Sequence, residues 1–435
     1  MIEKICILAL AQLIFFAKTV TYKYTSDDIP VWQESKKLQL GFFKKAFLMI
    51  EGSIRTTTQA DHFLTTLIHA AVSILVYLAF GANDVSYAAA WLFAFNPINN
   101  QGSVWISGRT YPLTTLLYLT AFTFPLAAPA TTVLAMHYPI GFCMAWITVL
   151  ISPYMLIPFA VGILIYQKRF RGLIANKVKK EMFAADKKID LIKAVYAIKT
   201  FAFYTVHALI PIKTTFYHSF MQSMAGSGKA KAGKLDRYFW SGLIFIALII
   251  YQFTRPWSMV SFGLLWWIAG IAPFLNTFRL SQEIAERYAY VPLPGLMFVL
   301  ASILAPYPQA IIALVSIYAC RLWFYMDAFH DDYYLVEQAC LNSPDSWFAW
   351  HIRALRRWDV ESHKEAMILW TMAKMIHPRE CKVLFNLATM LKLHKQDKEA
   401  EAFLKEAEKN VPPGQEEEYK QLFKDWRKGR YQVLI

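Results

Sequence analysis

Residues 62–81 read HFLTTLIHAAVSILVYLAFG, twenty residues that carry no Asp, Glu, Lys or Arg. As an α-helix rising 1.5 Å per residue, this stretch matches a hydrocarbon core about 30 Å thick. Similar apolar runs of about 15 to 22 residues recur near 4–20, 84–98, 111–128, 130–150, 152–166, 192–212, 239–254, 257–275, 291–305 and 308–326. The expected fold class is therefore all-α: a polytopic membrane bundle of about eleven spans. The whole chain fits that class, with 435 residues that are 56% apolar, 16% aromatic and only 17% charged.

The charge is placed as a membrane protein places it. The formal net charge is +14, but the basic residues flank apolar runs or lie in the polar tail, where they set topology or meet anionic lipid. That distribution argues against a nucleic-acid partner. Cys6, Cys143 and Cys320 fall in apolar runs and Cys340 and Cys381 in the tail, which gives neither a disulfide framework nor metal-ligand spacing. After the first apolar run come Tyr22, Lys23 and Tyr24 rather than a small-residue cleavage site, so the run reads as a retained span. Lys168, Arg169, Arg171, Lys177, Lys179, Lys180, Lys187 and Lys188 mark the loop 167–191 as cytoplasmic by the positive-inside rule. Counting spans from it places the N-terminus inside. The 21–61, 99–110, 213–238 and 276–290 loops and the C-terminal tail then fall outside.

Two domains follow, a membrane domain over 1–328 and a helical tail over 329–435. Within the first, residues 30–60 mix Trp32, Leu38, Leu40, Phe42, Phe43, Phe47, Leu48 and Ile50 with Lys36, Lys37, Lys44 and Lys45. Such a mixture suits helices lying along the membrane interface. In the tail, Pro344, Pro378 and Pro412 are spaced by 34 residues, the period of the tetratricopeptide repeat. The small packing positions hold Ala354, Ala366 and Ala373, then Ala388, Ala400 and Ala407. The large ones hold Trp350 and Trp370, then Leu384 and Leu404. Residues 331–344 read as half of an earlier repeat and 414–428 as a charged cap. A stack this short has to lean on its cap or on the membrane domain.

The polar residues that interrupt this pattern are the candidates for chemistry. Asp27 and Asp28 stand just past the first span, where carboxylates mark either a plain loop or a proton-transfer site. His62 and His69 are seven residues apart and share one helix face, suited to a relay, a phosphate contact or a metal, or simply to interhelical hydrogen bonds. Asn96–Arg109, NPINNQGSVWISGR, is dense in amides and ends in an arginine fork that matches phosphate oxygens. It also has the composition of an ordinary turn. Glu286, Arg287 and Tyr288 open a run, AERYAYVPLPG, that leads into a late span. Alone it reads as an interfacial ion pair with a tyrosine belt.

Taken in order, the early Asp-Asp, the paired histidines, the NPINNQGSVWISGR and AERYAYVPLPG segments and the terminal repeats resemble one family. It is the transmembrane and tetratricopeptide-repeat-containing O-mannosyltransferases of the GT-C superfamily. The resemblance implies an inverting transferase. A sugar, mannose by analogy, would pass from a polyprenyl-phosphate carrier to a protein Ser or Thr hydroxyl on the lumenal or periplasmic face. It implies an acidic general base in the first external loop, a place matched by Asp27 and Asp28, with Asp27 favoured by analogy. A base is what a hydroxyl nucleophile requires, and the phosphate leaving group needs cations. Arg109 and Arg287 are the candidates to bind that phosphate, with His62 in support, and Glu286, Tyr288, Gln101 and His69 around them. Lys213, Lys229, Lys231, Lys234 and Arg237 offer further charge. The repeats would take the acceptor polypeptide. No cofactor is fixed by the sequence, and a divalent metal stays open because no ligand set is complete by spacing.

The chain departs from the family pattern at Asn96, at Gln101, where an acid is usual, at Thr65, and around Ser152 to Tyr154, where a Lys-Glu pair is missing. Two other classes of function remain alongside. One is an oligosaccharide ligase or polymerase that uses a diphosphate-linked donor. The other is a non-catalytic, membrane-anchored repeat scaffold.

Overall fold

The computed structural model describes residues 1–151, 153–177, 191–218, 234–276, 284–360, 362–412 and 415–434. Residues 178–190 of the basic loop, together with Ser152, Lys229, Lys231, Gln282 and Glu283, lie outside that set. Every regular element among the described residues is a helix. Among the described residues three helices, against the eleven spans expected, are long and apolar enough to cross a membrane: Ile2–Thr21, Thr58–Ala79 and Pro308–Phe329. Leu156–Gln167, Arg237–Phe253, Met259–Phe274 and Leu293–Leu304 are apolar but shorter.

Thr58–Ala79 is the central helix. Thr57 caps its N-terminus, its side chain accepting from the Ala60 amide at 3.3 Å. Its far end stops at Gly81, which holds φ +107°, a conformation that favours glycine. The next helix, Asp84–Ala94, starts in a reciprocal cap between Asn83 and Ser86 and runs back alongside. Val72, Val76, Phe80, Ala89, Phe93, Trp266 and Met297 belong to one core. Near it Met259–Ile271 meets Leu293–Leu304 through Gly263 and Gly295. A Cβ on either glycine would come within 2.8 or 2.3 Å of the other's carbonyl oxygen. Two glycines thus set the distance between those helices.

One expected span divides. The 130–150 run forms two helices, Ala128–Ala135 and Pro139–Ile151. Pro139 disfavours helical geometry in the residue before it, and Gly141 packs directly on the Ala135 carbonyl, where a Cβ would lie at 1.9 Å. At 1.5 Å per residue, neither piece alone reaches across about 30 Å. The interfacial stretch does contain an amphipathic helix, Phe42–Glu51, with Phe42, Phe43, Phe47 and Ile50 all exposed.

Among its described residues the tail is a series of six helices. Trp347–Asp359 and Cys381–Leu393 begin 34 residues apart, as do their partners His363–Ile376 and Asp397–Lys409. Ala354, Ala366, Ala373, Ala388, Ala400 and Ala407 are all fully buried, with Trp370, Leu384 and Leu404 beside them. Small side chains let the paired backbones approach, and the large ones fill what remains. Glu416–Arg427 closes the array through Tyr419, Phe423 and Trp426. At the other end, one hydrophobic cluster runs from Phe16, Trp105, Phe216 and Leu322 into Val336, Ala349 and Trp370. The array therefore leans on both its cap and the preceding bundle.

Ala388→Leu should overpack the last hairpin and lower stability by about 1–3 kcal/mol. Ala402→Leu, on the exposed side of the same hairpin, should stay within about 0.5 kcal/mol. Thermal melting of the detergent-purified chain reads both, and equal effects would contradict the packing described.

Candidate functional site

The polar segments singled out in the sequence converge on one end of the bundle, beside the first tail helix. Lys23 N donates to the His330 carbonyl at 2.9 Å, Tyr22 Oη to Asp327 at 2.7 Å and Ser26 N to Asp332 at 2.7 Å. Ser26 itself turns through φ +52°. These bonds fix the loop that presents Asp27 and Asp28 against the junction between bundle and tail.

The two aspartates have different fates. Asp28 is 1% exposed and paired with Arg55, whose Nη2 and Nε lie 2.9 and 3.2 Å from Oδ1. Ser107 Oγ donates to the same oxygen at 2.5 Å. Burial pushes the Asp28 carboxyl above its ordinary value, against the pull of Arg55 and Ser107. Asp27 is exposed, one residue before the helix Asp28–Ser35, and has no hydrogen bond or ion pair among the described residues. Of the two carboxylates, Asp27 is thus the one open to solvent.

The two arginines divide in the same way. Arg109 is fully buried against fully buried Asp61, with Nη2 at 3.2 Å from Oδ1 and 2.7 Å from the Asp61 carbonyl. Its Nε donates to Thr65 Oγ1 at 3.1 Å and its Nη1 to the Met49 carbonyl at 2.5 Å. Asp61 is completed by Tyr24 Oη at 2.9 Å and Thr56 N at 2.8 Å. All three guanidinium nitrogens serve this internal network, so phosphate binding by Arg109 would require breaking a buried ion pair. Arg287 is half-buried. Its Nη1 donates to Gln101 Oε1 at 3.0 Å, and its guanidinium lies 5.4 Å from the Trp105 ring centre and 5.1 Å from that of Tyr288. Gln101, where relatives of the resembled family carry an acid, thus orients an arginine without neutralising it. Tyr288 stacks on Phe274 at 4.2 Å.

The Asp27 loop and Arg287 meet at Trp105, whose Nε1 donates to the Thr25 carbonyl at 3.4 Å and whose ring centre lies 5.4 Å from the Arg287 guanidinium. Burial raises the Tyr217 hydroxyl above its ordinary range, and the charges of Asp332, Arg356, Asp27 and Arg287 all act on it.

The histidines are placed less openly. His69 Nδ1 meets Tyr290 Oη at 2.6 Å and its Nε2 meets the Ala94 carbonyl at 3.0 Å, an interhelical packing role. His62 is buried edge-on to Tyr22, and neither ring nitrogen completes a hydrogen bond.

Glu286 is the hub. It is 1% exposed; Oε1 takes the Thr215 amide at 2.7 Å and faces His218 Nε2 at 3.0 Å and His207 Nε2 at 3.4 Å. Asn100 Nδ2 donates to Oε2. Burial opposes the charge on Glu286, but the His207 and His218 hydrogen bonds outweigh it and hold the carboxyl below its usual value. One ligand atom from each of His207, His218 and Glu286 falls within 4.8 Å of the others. Sequence reasoning missed Arg55, His207, His218 and Tyr217. The signal for the histidines was a pair bracketing Pro211 just after an apolar run, far in sequence from their carboxylate.

The surface is hollowed both beside the Asp27 loop and away from it. One cavity, of about 480 Å³, is lined by Lys23, Tyr24, Ile29, Trp32 and Thr56–Gln59, beside the Asp27 loop. The other, of about 520 Å³, is an apolar groove between Asp84–Trp91 and Ala301–Ser316, at the opposite end of Asp84–Ala94 from Asn96. Compared with protein-family models, curated proteins and solved structures, the chain matches none.

Arg109→Ala would leave Asp61 charged and buried, so it should cost about 3–5 kcal/mol. Arg287→Ala leaves Gln101 Oε1 without its donor and should cost about 1–2 kcal/mol. Chemical or thermal unfolding of the two variants orders them, and the reverse order would undo the division of roles.

Proposed function

We propose that the protein is an integral-membrane glycosyltransferase of GT-C architecture, with about eleven spans and a tetratricopeptide tail on the outer face. It moves a sugar, mannose in the first instance, from a polyprenyl-phosphate carrier to a Ser or Thr hydroxyl of a polypeptide. The observation that supports this reading is an open carboxylate, Asp27, on a loop that Trp105 joins to a half-buried guanidinium, Arg287, and that Ser26 ties to Asp332 at the start of the tail. Asp28 and Arg109 stabilise the fold through their ion pairs and take no part in the chemistry.

In the reaction, Asp27 accepts the acceptor hydroxyl's proton as that oxygen forms its bond to the anomeric carbon from the face opposite the phosphate. The bond between the anomeric carbon and the phosphate oxygen breaks, and its electron pair leaves with the polyprenyl phosphate. Arg287, fixed by Gln101 between Trp105 and Tyr288, stabilises the added negative charge. The apolar faces of Phe42–Glu51 lie along the membrane surface where such a donor presents its headgroup. The repeats beside the loop hold the acceptor chain. A non-catalytic scaffold would share the internal ion pairs of Asp28 and Arg109 but has no need of Asp27.

The test uses the full chain with polyprenyl-phosphate mannose and a Ser/Thr-rich peptide. Asp27→Asn should lower turnover by about 10²–10⁴-fold with an unchanged melting temperature. Undiminished transfer by Asp27→Asn would overturn the assignment of the base. Absence of transfer from any polyprenyl-phosphate sugar would favour the scaffold.

A further inference from the structure

We propose that His207, His218 and Glu286 bind a divalent transition-metal ion, zinc by the character of the ligands, which ties together three segments of the bundle. This inference stands apart from the transferase reading and does not depend on it.

Each ligand comes from a different place in the chain. His207 ends the helix Leu191–Leu209, His218 follows the break at Pro211, and Glu286 immediately precedes the helix Arg287–Tyr290. Their ligand atoms, within 4.8 Å of one another, need only a small inward movement to surround one ion. Two imidazoles and one carboxylate are a donor set suited to zinc, with a fourth position left for an oxygen.

The surroundings supply that oxygen and the outer contacts. Asn100 and Thr215 hold the carboxylate through their N–H groups, while Asn100 Oδ1 and Thr215 Oγ1 are buried without any hydrogen-bond partner. Buried oxygens are rarely left unpaired. A cluster of His, Glu and His joined only by protons leaves both unsatisfied, whereas a cation, or water bound to it, gives them a partner. Phe203 stacks on His207 at 5.1 Å and meets His218 edge-on at 5.4 Å, which orients the rings and keeps bulk water away. An ion here would offset the buried charge of Glu286 and fix the backbone from which Arg287 projects.

The experiment uses the full chain in detergent, stripped with a chelator, reloaded with Zn²⁺ or Co²⁺ and desalted. The expected result is one ion per chain by elemental analysis, visible d–d absorption from bound Co²⁺, and a lower melting temperature after renewed chelation. His207→Gln and His218→Gln should each weaken binding by at least about tenfold. If either variant fails to fold, the cobalt spectrum of the unmodified chain decides alone. A folded chain that retains no ion and shows no cobalt band would overturn the proposal and leave a proton-bonded cluster. Equal retention by both folded variants would overturn it too. Neither readout measures sugar transfer, so this failure is distinct from failure of the transferase reading.

Discussion

A carboxylate with almost no contact with water survives only if donors surround it, and Glu286 is such a group. Its four partners come from two regions far apart in sequence, His207, Thr215 and His218 from one and Asn100 from the other. Satisfying that one charge therefore fixes the end of one helix, the loop after it and the amide-rich turn near Asn96. Arg287 follows directly in the chain, and Gln101 follows Asn100, so the half-buried guanidinium and the amide that orients it inherit their position from the buried carboxylate. Replacing Glu286 would loosen the segment that carries Arg287.

Two ion pairs do the same for the N-terminal loop. Asp28 with Arg55, and Asp61 with Arg109, are nearly or fully excluded from solvent. Buried pairs of this kind add modest net stability, but losing one member is costly because its partner remains charged. They make the loop rigid and leave Asp27, adjacent in sequence, outside the network. Neighbouring residues of one type thus separate into a structural and an open role through a single difference in burial.

Much of the architecture was legible because it rests on periodicity. The apolar runs marked helices, of which only three of those described are long and apolar enough to cross a membrane, and the spacing of Pro344, Pro378 and Pro412 marked hairpins with alanines at their close contacts. The break within 130–150 was harder to read, since composition was apolar throughout and only Pro139 with Gly141 interrupts the helix. The site was half legible. Asp27, Glu286, Arg287 and Gln101 were named from local motifs, and they do occupy one end of the bundle. Arg109 looked like a phosphate ligand because an arginine's charge shows in a sequence and its partner does not; Asp61 lies 48 positions away. His207 and His218 carried no motif, because their relation to Glu286 exists only after the chain has folded.

The claim that Asp27 and Arg287 face one lipid-linked sugar donor, Arg287 at its phosphate and Asp27 across the anomeric carbon, is tested most directly by photolabelling. A polyprenyl phosphate carrying a diazirine next to its phosphate should label the peptides containing Asp27 or Arg287, and excess unlabelled carrier should suppress both adducts. Label confined to the groove between Asp84–Trp91 and Ala301–Ser316 would contradict the account.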